Sequence, residues 1–175
     1  MGKAAIYLLV VCCAIISCTA VRVNYDYDKA TDFNNYSTYN YFSDIETGLS
    51  QLDERRLLKA LDSALQAKGY LLAEEPDFLI NIISSEFRQS ATNSVGVGVG
   101  GTGRTIGGGV SVGLPIGGSG LARNIQFDFV DAQKDELFWQ AKSESSFREN
   151  ASPSVREEQL RKVVAKVFKK FPPEK

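Results

Sequence analysis

The 175-residue chain contains no histidine. That absence removes the side chain most used as a general base near neutral pH, the Ser-His and Cys-His nucleophile pairs, and the commonest metal ligand. Cysteine is scarce: Cys12, Cys13 and Cys18 are the three present, all close to the amino terminus. No later cysteine can join them, so a disulfide within the fold and the usual ligand sets of zinc, haem and iron–sulfur sites are excluded. No cofactor, no metal site and no enzymatic activity are expected. Charge of either sign is not in surplus, with 20 Lys and Arg against 21 Asp and Glu. A nucleic-acid partner needs a basic face to neutralise phosphates, so none is expected here. The rest of the composition is ordinary for one globular domain, at 43% hydrophobic and 23% charged residues.

A long hydrophobic run occurs once, "AAIYLLVVCCAII" from Ala4 to Ile16, preceded by Lys3. Thirteen residues in a helix reach about 20 Å, short of the roughly 30 Å of a hydrocarbon core, so the run reads as a secretory h-region. The "IISC" that follows, Ile15 to Cys18, resembles the lipobox of bacterial lipoproteins. That resemblance implies a signal peptide over residues 1–17, lipidation of Cys18 by diacylglyceryl and N-acyl chains, and a short tether over 18–20. Each buried lipid methylene adds about 0.8 kcal/mol, so two or three chains anchor firmly. The expected location is the cell envelope, lipid-anchored at the outer membrane and facing the periplasm.

Beyond the tether, "VRVNYDYD" (Val21 to Asp28) alternates apolar and polar residues with period two, the pattern of a half-buried strand. A second strand is predicted at Ser37 to Phe42. Leu49, Leu52, Leu57, Leu58, Leu61 and Leu65 recur at helical spacing behind Ser50 and Asp53, predicting a helix from about Gln51 to Lys68 with Gly69 as its left-handed cap. "PDFLINIISSEF" (Pro76 to Phe87) reads as an interior strand. Ala122 to Ala132 and Leu137 to Phe147 read as an antiparallel hairpin, the second strand aligning Leu137, Trp139 and Ala141. Ser152 and Pro153 open a last helix, which "FPPEK" stops. The order predicts an α+β fold: an antiparallel β-sheet with two helices packed on one face, plus a Gly-rich hairpin or loop insertion over 95–120.

That insertion holds the one lure toward catalysis. Residues 95 to 118, "VGVGVGGTGRTIGGGVSVGLPIGG", carry eleven of the fifteen glycines. Gly98 to Thr105 imitates a phosphate loop with Arg104 in place of lysine, but such a loop must lead into a helix, and Gly107-Gly108-Gly109 followed by Pro115 forbids one. Val95, Val97, Val99, Val110, Val112, Leu114 and Ile116 alternate mostly with glycine. As two strands they would present an aliphatic contact surface and a bare face open to close approach; as a mobile loop they would present neither.

"VNYDYDKATDFNNYSTYNYF", "ALQAKGYLLAEEPDFLINI", "IQFDFVDAQKDELFWQAKSE" and "VAKVFKKFPP" together resemble the bacterial lipoproteins carrying the domain of unknown function DUF4136. The resemblance spans nearly all of the chain after the tether, residues 21–175, and implies a periplasm-facing α+β lipoprotein with no established catalytic residues. The expected role is therefore a non-enzymatic, lipid-anchored envelope module that binds an envelope protein or supports the envelope. The alternative is a carrier of a small glycan or lipid, with a cleft between Tyr25, Tyr27, Tyr39, Tyr41 and Trp139. A third reading, an envelope hydrolase, would need converging carboxylates in a deep cleft; Asp26 with Asp28 and Glu74 with Glu75 are the carboxylate pairs, and Asp26 and Asp28 share a strand face that reads as solvent.

Overall fold

A computed structural model of the chain describes residues 21–88 and 120–173, and the backbone of 94–96 and 113–115. Strand β1 (Arg22–Tyr27) is followed by a 3-10 turn at Phe33–Asn35, strand β2 (Thr38–Tyr41) and helix α1 (Gln51–Gln66). Strands β3 (Leu71–Leu72), β4 (Phe78–Arg88), β5 (Ser94–Gly96), β6 (Gly113–Pro115), β7 (Leu121–Asp131) and β8 (Glu136–Phe147) lead to helix α2 (Pro153–Val167), which ends in a 3-10 turn at Phe168–Lys170. Six strands form one sheet in the order β1-β8-β7-β4-β2-β3.

The expected α+β layer is present, and its sheet is mixed. β1, β8, β7 and β4 are antiparallel neighbours, whereas β2 runs parallel to both β4 and β3. The parallel part exists because α1 carries the chain from the end of β2 back to its start, as a parallel neighbour demands. Ser50 caps α1 by accepting from the amide of Asp53. At the other end Gly69 takes φ +92 and the Tyr70 amide reaches back to Leu65 O at 3.1 Å. Its left-handed conformation turns the chain back to the sheet, as predicted.

Both helices bury their stripes in a single cluster: Leu57, Leu61 and Leu65 from α1, and Leu160, Val163, Val164 and Val167 from α2. They meet Phe78, Ile80 and Ile82 of β4, Ile125, Phe127 and Phe129 of β7, and Trp139 of β8. Leu52, assigned to the apolar stripe from sequence, is 60% exposed. Leu137 is also exposed, because the register slips between Phe129 and Val130: Phe129 faces Trp139 while Val130 faces Leu137. Phe138 is the extra residue of this bulge, so Phe138 and Trp139 both turn inward. Phe78, Phe129, Phe138, Trp139, Phe168 and Phe171 pack with ring centroids about 5 to 6 Å apart, a spacing at which edge and offset contacts add to area burial.

Candidate functional site

β4 and β7 are the two central strands, and their pairing runs without interruption from Phe78↔Asp131 to Arg88↔Leu121. Residues 89–120 are therefore the whole connection between two strands that already meet at their ends. Within it, β5 and β6 pair antiparallel with Val95 opposite Leu114 and Gly96 opposite Gly113. Val97, Val99, Val110, Val112 and Ile116 lie outside the described residues, as does Cys18.

The five residues proposed as a ligand cleft do not line one. β8, β7 and β4 lie between β1 and β2, which at about 4.8 Å per strand step separates Tyr25 and Tyr27 from Tyr39 and Tyr41 by roughly 19 Å. Tyr39 and Trp139 are 0% and 1% exposed, so neither offers a stacking face. The hydroxyls of Tyr25, Tyr39 and Tyr41 are committed as well. Tyr25 donates to Lys166 O at 2.7 Å, while Tyr39 and Tyr41 both donate to Oδ1 of Asp62, at 2.8 and 2.6 Å. Burial, then the Asp62 hydrogen bond and charge, holds both phenols well above their ordinary pKa. Tyr27 alone of the five is substantially exposed, and with Lys169, Lys170, Pro172 and Pro173 it lines a surface groove of about 470 Å³.

The acidic residues hold strands and turns together. Asp77 accepts from the amides of Ser37 and Thr38 and from the Ser37 hydroxyl, all within 3.0 Å, which ties the start of β4 to the start of β2. These bonds, led by the Ser37 amide, outweigh its partial burial and lower its pKa. Asp131 accepts from the amides of Gln133 and Lys134 and from the Tyr36 hydroxyl. Burial acts to raise its pKa, and those donors together with the Lys134 charge outweigh it, so the net shift is downward. Asp26 and Asp28, the predicted pair, make separate local contacts: Asp26 accepts from the Tyr27 amide and Asp28 from the Ala30 amide. Among the described residues no group of acids is arranged to hold a metal ion.

One cluster escaped the sequence reading. Asp53, read there only as a helix cap, is 0% exposed and meets three guanidinium groups: Arg156 at 2.7 Å, Arg56 at 2.8 Å and Arg123 at 3.5 Å. Arg123 continues to Glu86 at 2.7 Å and lies 3.6 Å above the Phe147 ring. Beside it a cavity of about 10 Å³, room for one water, is lined by Arg123, Phe147 and Arg156 among others. Only the Asp53–Arg56 pair, three residues apart on one helix, left a signal in sequence spacing. A charge ring this fully paired is suited to joining α1, α2, β4 and β7, and offers no open position to a substrate.

No curated protein matches the chain. Among solved structures it is similar to a PDZ domain protein from Parabacteroides distasonis ATCC 8503, with 13% identity and a TM-score of 0.60, over 95% of this chain and 40% of that one. The chain thus spans less than half the length of that protein, and the likeness is one of fold. A PelC dodecamer from Paraburkholderia phytofirmans aligns with 10% identity and a TM-score of 0.49, over 85% of this chain and 96% of that one. The family described as "Domain of unknown function (DUF4136)" matches residues 23–173, in agreement with the motifs in β1, β4, the β7–β8 hairpin and the end of α2, and the chain belongs to that family.

Proposed function

We propose that the protein is a non-enzymatic, lipid-anchored domain of the cell envelope, held at the outer membrane by Cys18 and facing the periplasm, whose glycine-rich tract engages a partner envelope protein. The observation that carries this reading is the register of β4 and β7. Because Arg88 already faces Leu121, a tight turn would close the sheet, yet the chain spends residues 89–120 there. Connections of that length in a compact domain are mostly functional or linker segments, and this one bridges two strand ends that are already paired. The commitment of Asp53, Asp62, Asp77 and Asp131 to hydrogen bonds within the fold supports a role without acid–base chemistry.

Deleting residues 96–118 should leave the melting temperature nearly unchanged and abolish crosslinking to the partner in intact envelopes. Crosslinks that persist after the deletion would refute the tract's role. Cys18→Ala should move the protein from the membrane to the soluble fraction. The small-ligand alternative keeps one point of support, the Tyr27 groove, now without Tyr39 and Tyr41. A panel of glycans and lipids monitored by Trp139 fluorescence tests it, since Trp139 is one ring away from that edge strand, 6.3 Å from Tyr25.

A further inference from the structure

The sheet has two ends, and its register assigns residues to each. Arg22 at the start of β1 pairs with Glu144, Phe147 at the end of β8 with Leu121, and Arg88 at the end of β4 also with Leu121. The tether, the root of the glycine-rich tract and the Asp53 cluster therefore share one end. Both helices begin there too, since Asp53 in the first turn of α1 bonds Arg156 in the first turn of α2. The opposite end holds the β7–β8 turn, the end of β1 and the approach to β4.

The type of cation divides along the same axis. At the tethered end the buried acid Asp53 and Glu86 are taken up by Arg56, Arg123 and Arg156, leaving Arg22, which faces Glu144 across the strands, and Arg88 and Arg148 exposed beside Glu149. At the opposite end Asp26, Asp28, Glu74, Glu75, Asp135 and Glu136 are exposed, and the exposed cations among them, Lys29, Lys68, Lys134, Lys169 and Lys170, are lysines. Arginine forms bidentate bonds to phosphate more readily than lysine does.

We infer that the protein stands end-on against the membrane, with the Arg22, Arg88 and Arg148 end seated on phosphate headgroups and the acidic end held out in solution. The inference rests on the reading of Cys18 as the anchor. Cys18 lies four positions before Arg22, a reach of at most about 14 Å, whereas the eleven residues of β7 span about 36 Å. The tether is too short for the acidic end to be the seated one. Laying the domain flat would bring that end within a Debye length, about 8 Å at physiological salt, of an anionic surface. The positive ends of the two helix dipoles point the same way as the arginines and favour the upright pose. A partner of the tract would then be met at the membrane surface.

The full chain, expressed with its leader and processed, is reconstituted in vesicles of phosphatidylethanolamine and phosphatidylglycerol doped with a headgroup nitroxide lipid. Acylation blocks Cys18 and processing removes Cys12 and Cys13, so Asn150→Cys and Gln133→Cys each give one labelling site for a fluorophore, one at each end. Quenching should be several-fold stronger at position 150 than at 133. Equal or reversed quenching on vesicles that carry the protein in flotation overturns the end-on pose alone. Failure to float overturns the anchor reading, and the pose with it. Arg22→Glu, Arg88→Glu and Arg148→Glu combined, with an unchanged thermal melt, should reduce the difference between the two labels; an undiminished difference rules out the arginines as the seat.

Discussion

The two ends of the sheet neutralise their buried or half-buried acids in different ways. At the tethered end Asp53 is answered by cations, three guanidinium groups drawn from α1, α2 and β7. At the opposite end Asp77 and Asp131 are answered chiefly by neutral donors, the backbone amides of nearby chain and a serine or tyrosine hydroxyl, with the exposed Lys134 ammonium 3.5 Å from Asp131 as the one cation. The first arrangement binds distant elements and leaves a charge stranded if one member is lost. The second fixes strand starts and a turn, and a lost acid leaves only neutral amides that water can reach.

The comparison predicts a graded series. Asp53→Ala should be the most damaging, about 3 to 5 kcal/mol in urea-unfolding experiments, because the three guanidinium groups that share it would lose their buried counter-charge and Arg123 would keep only the part-exposed Glu86. Asp131→Ala should cost about 1 to 3 kcal/mol, the range for depriving partly buried donors of an acceptor. If it proved as costly as Asp53→Ala, the contrast between cationic and neutral answers would collapse.

Asp77 sharpens the comparison through pH. Its pKa in the fold is lowered, so its contribution to stability is fully present above the ordinary carboxylate value of about 4 and is lost as pH falls through that value toward the lowered one. Asp77→Asn should therefore cost about 1 kcal/mol at pH 7 and progressively less as the pH falls through the ordinary carboxylate value toward the lowered one, flattening the acid limb of a melting-temperature profile. A parallel downward displacement at every pH would mean that the charge plays no part. The smallest effect belongs to the half-exposed Glu158, which contacts Arg161 at 2.6 Å and Lys162 at 3.7 Å on the surface of α2. Glu158→Ala should stay within about 0.5 kcal/mol in the same unfolding assay.

Most of the layer was legible in the chain. Period two marked β1, β7 and β8, period 3.6 with Ser50 and Ser152 as caps marked the helices, and Gly69 marked the turn after α1. What escaped were properties of pairing. The parallel seating of β2 beside β4 depends on which edge the returning chain reaches, and nothing in "STYNYF" encodes that. The bulge at Phe138 reverses the facing of Leu137 because one additional residue flips a period-two pattern. The tyrosine-rich strands looked like neighbours because they follow one another in the chain, yet they occupy opposite sides of the three long strands. Asp53 gave no sign of its partners Arg123 and Arg156, since residues that meet across four elements leave no regular spacing.

The closure of β4 onto β7 at Arg88 and Leu121 also sets how freely the tract can change. The entropy of closing a flexible loop grows only with the logarithm of its length, so doubling or halving the stretch between those residues shifts stability by about 0.6 kcal/mol. Tract length is thereby nearly uncoupled from folding. The scaffold can carry a short connection, the present one or a foreign sequence at almost equal thermodynamic expense, which makes this position a natural port for grafting new segments onto the domain.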